Sequence, residues 1–159
     1  MLTLGIDPGL SGALAILSDD GALELLADLP VVSDRTLKWI DGCALQSIIL
    51  DALQGRPAVA MVERVSSMPK QGIASAFQFG VGFGSILGVL QALRLPIAFV
   101  RPAVWKQAYG LTREKRVSLH KARLMFPAAE LHLAKHEGRA EALLIAEYAR
   151  RSGAKQAAA

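Results

Sequence analysis

Apolar runs in the first part of the chain predict three short strands joined by tight turns. Residues 2–7 and 12–18 are almost entirely apolar, and a proline–glycine turn separates them. A second turn at residues 19–21 is followed by another apolar run over residues 22–29. Because parallel strands need a longer connection than these turns provide, the pattern predicts an antiparallel three-stranded sheet.

The remainder of the chain alternates between helical and strand-like patterns. Strands are predicted over 58–63 and 97–100, and the first is so continuously apolar that both of its faces should be buried. Apolar spacing and stop signals predict helices over residues 41–53, 74–94, 102–107, 113–126 and 139–151. A hairpin sheet followed by alternating helices and strands indicates a mixed α/β fold. We expect one domain over residues 1–151 and a flexible tail over 152–159.

The segment 72–93 has no charged residue and is long enough to span a membrane. Five glycines and two glutamines interrupt it, and a basic, proline-containing segment follows at once. A helix buried in a soluble α/β protein is therefore the better interpretation, and no membrane partner is expected.

Three glycines in this segment, Gly80, Gly84 and Gly88, recur every four residues. Each costs about 0.5–1 kcal/mol in a helix relative to alanine, so close approach of another backbone or sheet is the expected reason for them. Part of the helix must cover the sheet. The rest of its apolar surface is predicted to pair with a second copy of the chain, through Phe79, Phe83, Leu87 and Leu90.

Composition supports a folded protein with a basic surface. Hydrophobic residues make up 52% and charged residues 20%, which excludes a disordered chain. The 18 Lys and Arg residues against 14 Asp and Glu suit a polyanionic partner without proving one. The single cysteine, Cys43, excludes an internal disulfide and a cysteine-based zinc site, and its apolar neighbours predict a buried, inert thiol. The N-terminus has no secretion signal, so a cytoplasmic location is expected.

Two acidic residues, Asp7 and Glu63, each end an otherwise apolar strand. For either one alone, a simple strand cap at the solvent boundary is the better explanation, because isolated buried carboxylates are costly. If the two strands pair, however, the carboxylates form a negative pocket. Oxygen ligands of this kind suit magnesium or manganese.

A third acidic group opens the last predicted helix. Glu137 and Glu141 are four residues apart and share one helix face, where like charges need a cation or a basic neighbour. A solvated helix start, favoured by the helix dipole, is the alternative explanation. The apolar run 142–146 follows at once, so Glu141 should lie close to the buried face.

The chain resembles the RuvC-like Holliday junction resolvases, and in particular their phage-type branch, within the RNase H-like superfamily. Each matching segment is short, but the segments follow the family's order over nearly the whole chain. They are residues 5–12 (GIDPGLSG), 62–65 (VERV), 77–80 (FQFG), 101–106 (RPAVWK) and 138–143 (GRAEAL).

The resemblance implies an RNase H-like sheet, mixed and five-stranded, with helices on both faces and four metal-binding acidic positions. Asp7, Glu63 and Glu141 match three of these positions. The fourth, usually Asp and sometimes His, falls on Glu137 or His136, and helical phase slightly favours Glu137. The resemblance further implies two Mg²⁺ ions per site, or Mn²⁺ in their place, that activate a water to cut a phosphodiester and leave a 5′-phosphate.

Basic residues near Trp105 and Tyr109 are candidates for DNA contacts, although a solvated helix face would also explain them. Phosphate contacts position a nucleic acid without reading its sequence. The first choices are Lys106, Lys115, Lys121 and Arg116, followed by Arg64 and Lys70 in the loop after the second acidic strand. In that loop Met68 could wedge against bases near a crossover, or pack on its own domain.

These patterns together predict a metal-dependent endonuclease that resolves four-way DNA junctions. A homodimer through the 74–94 helix would place two active sites opposite each other, as the symmetry of a junction requires. Two alternatives keep the fold. One is a nuclease acting on RNA–DNA hybrid or flap DNA, and the other is a non-catalytic protein that binds branched DNA without magnesium.

Overall fold

The computed structural model describes residues 1–35, 37–64, 72–112 and 114–153. In chain order its strands are β1 (Leu2–Asp7), β2 (Ala13–Leu17), β3 (Leu23–Asp28), β4 (Val31–Ser33), β5 (Lys38–Ile40), β6 (Ala58–Glu63) and β7 (Ile97–Val100). Its helices are α1 (Gly42–Leu53), α2 (Ile73–Ala92), α3 (Pro102–Ala108), α4 (Lys115–Met125) and α5 (Glu137–Arg151), with a 3-10 turn, Ala134–His136, just before α5.

Five of the strands form one mixed sheet in the order β3-β2-β1-β6-β7. The first three are antiparallel neighbours, whereas β6 runs parallel to β1 and β7 runs parallel to β6. This arrangement confirms the predicted sheet. Since β1 and β6 are adjacent and parallel, their C-terminal ends meet at the same edge, with Ile6 beside Val62.

Helices cover both faces of the sheet, as predicted. One core layer packs α1 and α2 against side chains such as Leu4, Ile6 and Ile16. The other packs α3, α4 and α5 against the opposite face of the strands. The helix α5 lies unusually close to β1, because a side chain at Gly5 would collide with backbone atoms of Ala142 and Ala146. Glycine at position 5 therefore sets how near α5 comes to the strand that carries Asp7.

The short hairpin β4–β5 was not predicted from the sequence. Its strands have three residues each, too few for an alternating pattern to stand out. Ile40 anchors the hairpin in the core, and the Gln78 side chain of α2 donates a hydrogen bond of 2.8 Å to the Lys38 carbonyl. The hairpin is thereby fixed to the N-terminal half of α2.

The helix α2 differs in detail from its prediction. The helix is long and apolar enough to cross a membrane. Only 17% of its most apolar 18-residue window is buried, so the prediction of a buried helix holds for one stripe of the helix alone. That stripe is formed by Gly82, which lies against Ile40 of the hairpin, and by Ile86 and Leu90, which pack in the core layer on the sheet. The predicted free face is wrong for Leu90, because a rotation of roughly 100° per residue brings it into line with Ile86. Phe83 and Leu87 are also partly buried against this core layer.

The free face of α2 carries the exposed apolar side chains of Ile73, Phe77 and Val81. A Cβ built at Gly80, Gly84 or Gly88 meets nothing within 4 Å among the described residues. The predicted close approach at these glycines is therefore not made within this part of the chain. We call this surface the α2 stripe: Ile73, Phe77, Gly80, Val81, Gly84 and Gly88.

The prediction of a buried Cys43 is also wrong, since its side chain is exposed. The buried face of α1 is formed by Leu45, Ile49 and Leu53. Cys43 lies two residues before Leu45, about 200° away around the helix, and so faces solvent. The predicted tail over 152–159 lies mostly outside the described residues and stays a prediction.

Candidate active site

Three buried carboxylates come together at the edge where β1 and β6 end. Asp7 is the last residue of β1, Glu63 is the last residue of β6, and Glu141 lies in the second turn of α5. Their exposed fractions are 5%, 6% and 2%. Parallel pairing brings the first two together, and the close packing of α5 on β1 adds the third. The structure thus assembles three predicted site residues that are up to 134 positions apart in the sequence.

The Glu141 carboxylate is held by two ammonium groups and a hydroxyl. The Lys106 ammonium lies 2.7 Å from Oε1, and the Ser118 hydroxyl donates to the same oxygen at 3.2 Å. The Lys115 ammonium lies 3.5 Å from Oε2. Two lysines that the sequence predicts as phosphate contacts therefore lie within the acidic cluster itself, one nearly buried and the other half exposed.

The Glu63 carboxylate is held by a different partner. The indole N–H of Trp105, a fully buried side chain of α3, donates to Oε1 at 2.8 Å. The Lys106 ammonium lies 5.1 Å from the centroid of the same indole ring. In the sequence Trp105 stands near the predicted phosphate contacts but has no predicted role, and Ser118 was not predicted at all. The signal for Ser118 is a hydroxyl on the buried face of α4 beside Leu119 and Ala122.

Burial and the repulsion of neighbouring carboxylates raise the pKa values of Asp7 and Glu63. The pKa of Asp7 is raised to about 8, chiefly by burial; Lys115 and Lys106 oppose the rise, and Glu141 and Glu63 add to it. Burial also raises the pKa of Glu63, against the effect of the Trp105 hydrogen bond. The pKa of Lys115 is raised by Asp7 and Glu141 despite its partial burial. The site therefore favours an added positive charge.

The donor chemistry of the three carboxylates suits a hard divalent cation. Asp7, Glu63 and Glu141 offer carboxylate oxygens, which magnesium prefers, and Asp7 receives no side-chain hydrogen bond from the described residues. Space beside Asp7 depends on Gly138, because a Cβ there would lie 3.4 Å from Asp7 Oδ2 and would collide with the Ser11 carbonyl oxygen. As arranged here, however, the described residues include no group of three or more His, Cys, Asp or Glu side chains that could hold a metal ion. Glu141 is paired with two lysines instead.

The two candidates for the fourth ligand lie in different surroundings. Glu137 is the half-buried first residue of α5, and its charge contributes to raising the pKa of Lys115, which places it on the side of the acidic cluster. His136 is buried instead against His132, with ring centroids 5.3 Å apart, and the described residues offer no hydrogen bond to its Nδ1. This geometry favours Glu137, and the assignment stays a prediction.

The other predicted DNA contacts are spread over the surface. Arg64 and Arg116 are exposed, whereas Lys121 lines an open groove of about 520 Å³ together with Tyr109, Tyr148 and Arg151 rather than the acidic cluster. Met68 and Lys70 lie outside the described residues.

Comparison with known proteins identifies the fold. No family model matches the sequence, and no curated protein matches it. Among solved structures, Thermus thermophilus RuvC in complex with a Holliday junction substrate is 20% identical, with a TM-score of 0.68 and 96% of each chain covered. A second Thermus thermophilus RuvC structure is 24% identical, with a TM-score of 0.64, 96% of this chain covered and 97% of the other. The chain therefore has the RuvC-like, RNase H-like fold that the sequence predicts.

Proposed function

We propose that this protein, which has a RuvC-like fold, is a metal-dependent endonuclease that resolves Holliday junctions and related branched DNA. The observation that carries the proposal is the cluster of Asp7, Glu63 and Glu141, three buried carboxylates with two lysines beside them. A fold does not need three buried carboxylates for its stability, because each costs free energy to bury. Perturbed acids gathered at the end of a sheet are typical of an active site.

In this proposal Asp7, Glu63 and Glu141, with Glu137 as the fourth ligand, hold Mg²⁺ or Mn²⁺. Two bound ions would supply an activated water and stabilise the leaving oxygen of the phosphodiester. The chain itself contributes the positions of the carboxylates and two cationic side chains, Lys106 and Lys115. These lysines are close enough to the acidic cluster to contact phosphate oxygens of the strand to be cut.

The proposed substrate is four-way DNA, for which one similar structure, the RuvC complex, offers a precedent. Arg64, Arg116 and Lys121 would add phosphate contacts outside the cluster, together with Lys70 and the apolar Met68, which follow β6 in the sequence. The α2 stripe would pair with its counterpart in a second copy, giving a two-fold homodimer with two active sites. We propose a soluble, cytoplasmic protein in which this pairing, and not a membrane, covers the stripe.

Cleavage of a substrate panel tests the proposal. Synthetic four-way, three-way, flap, linear and RNA–DNA hybrid substrates are incubated with the protein, with Mg²⁺ or with EDTA. We expect incision of the four-way junction with Mg²⁺ only, and much less incision of the linear duplex. Preferred cleavage of the hybrid or the flap would identify that nucleic acid as the substrate and leave the proposed metal-dependent hydrolysis unchanged.

A second candidate function is non-catalytic binding of branched DNA. It is favoured by the pairing of Glu141 with Lys106 and Lys115, which occupies both carboxylate oxygens. Such a protein would bind junctions equally well with Mg²⁺ and with EDTA, would not cut them, and would tolerate the loss of Asp7. The same substrate panel, read by both binding and cleavage, separates the two functions.

A further inference from the structure

Trp105 contacts one carboxylate of the acidic cluster, Glu63, and the lysine that is paired with another, Glu141. Its indole N–H donates to Glu63 Oε1 at 2.8 Å, and its ring lies 5.1 Å from the Lys106 ammonium, which in turn lies 2.7 Å from Glu141 Oε1. One side chain of α3 therefore touches the carboxylate at the end of β6 and the cation that holds the carboxylate of α5.

The chemistry of indole makes this contact directional. An indole N–H donates one hydrogen bond, accepts none and keeps its proton at any pH at which the protein is folded. It therefore occupies a single oxygen of Glu63 and leaves Oε2 without this donor. A lysine in the same place would compete with a metal ion for the carboxylate, whereas a neutral donor does not.

Core packing alone does not explain the choice of tryptophan. Trp105 is fully buried, and a buried indole N–H without a partner costs free energy, so an apolar side chain would fill an interior position at less risk. The ring also attracts the Lys106 ammonium through its face, at a distance within the range of cation–π contacts. Both features relate to the charged cluster rather than to the core.

We propose that Trp105 is a positioning residue for the metal site, which holds Glu63 Oε1 and presents Glu63 Oε2 to the cation. This inference rests on the proposed metal-dependent function and adds a residue that acts through Glu63. Groups that orient metal ligands are typically worth about 10–100-fold in metal affinity. Loss of the N–H should therefore weaken Mg²⁺ binding at least about 10-fold.

The test removes the N–H while retaining the ring. The chain has two tryptophans, so Trp39→Phe leaves Trp105 as the only one. Trp39 lies in the β4–β5 hairpin, and its substitution serves as the matched control. In this background Trp105 is replaced by 3-benzothienylalanine, which has nearly the same shape with sulfur in place of N–H. Trp105→Phe provides a second, genetically encoded variant that also loses ring area.

Mg²⁺ affinity is measured by calorimetry without DNA, and thermal unfolding is measured in EDTA. We expect the benzothienyl variant to bind Mg²⁺ at least about 10-fold more weakly than the Trp39→Phe control, with a similar unfolding temperature. Adding the same replacement to Glu63→Gln should cause no further loss, because Trp105 acts through that carboxylate. Equal Mg²⁺ affinity in the variant and the control would overturn the positioning role while leaving the proposed function intact. Absence of Mg²⁺ binding in the wild-type protein would overturn both.

Discussion

Asp7→Asn should abolish Mg²⁺-dependent cleavage and at the same time stabilise the metal-free protein at pH 8. Asp7 is 5% exposed, and burial raises its pKa from an ordinary value of 3.8 to about 8. Between these two values the folded state holds a proton that the unfolded state has released. The free energy of unfolding of the metal-free protein therefore falls as the pH rises from about 4 to about 8.

The size of the effect follows from the two pKa values. A difference of about four pKa units, at about 1.36 kcal/mol per unit, sets an upper limit of about 6 kcal/mol on the loss at pH 8 and above. Asparagine carries no charge, so the substitution removes the loss of unfolding free energy that Asp7 causes. The pH dependence that remains comes from Glu63, whose pKa is also raised by burial. Added Mg²⁺ should raise the stability of the wild type, because a ligand stabilises the state that binds it. The same addition should stabilise Asp7→Asn much less, because this variant lacks one of the proposed metal ligands.

The assay is denaturant unfolding in EDTA at pH 5 and pH 8, with junction binding and cleavage measured on the same samples. Asp28→Asn is the matched control, because Asp28 also ends a strand at this edge but is largely exposed and paired with Arg139, which lowers the pKa of its carboxyl. That variant should be slightly less stable at both pH values and should still cut. An Asp7→Asn protein less stable than the wild type at pH 8, or one that still cuts, would refute the reasoning.

Three further predictions concern the fourth ligand, the dimer and the packing of α5. Glu137→Gln should lower cleavage and Mg²⁺ binding at least about 10-fold, while His136→Ala should have little effect. If His136→Ala is instead the more damaging change, and the wild type is unusually active in Mn²⁺, His136 is the ligand. The free wild-type protein should sediment at twice the chain mass, and the Val81→Lys variant should sediment as a monomer. A wild type that is monomeric both alone and bound to DNA would exclude the α2 stripe as an interface. Gly5→Ala should lower the unfolding temperature markedly, because its Cβ meets α5 backbone, and an unchanged temperature would contradict the close packing.

The antiparallel part of the sheet and the two strand-end acids could be predicted because their signals are local, whereas the full five-stranded sheet was implied by the family resemblance. Asp7 and Glu63 each stand directly after a run of apolar residues, and short turns decide that the first three strands are antiparallel. Once the strand order was known, the meeting of the two carboxylates at one edge followed. Glu141 could be placed because the apolar run behind it indicates a buried helix.

The contacts that complete the site could not be predicted, because they join distant residues. Trp105 and Glu63 are 42 positions apart, and no periodicity indicates that α3 turns an indole N–H toward the end of β6. The orientation of α2 was mispredicted for a related reason. Nearly every face of this helix is apolar, so hydrophobicity does not decide its rotation, and packing of Ile86 and Leu90 on the sheet does.

Mapping the cuts on a labelled four-way junction tests the central claim most directly. Each strand is end-labelled in turn, and the junction is incubated with wild-type protein or Asp7→Asn in Mg²⁺. The proposal predicts paired incisions at symmetric positions in two opposite strands, with 5′-phosphate ends, by the wild type only. Tight junction binding without incision by the wild type, in either Mg²⁺ or Mn²⁺, would contradict it and leave the non-catalytic function.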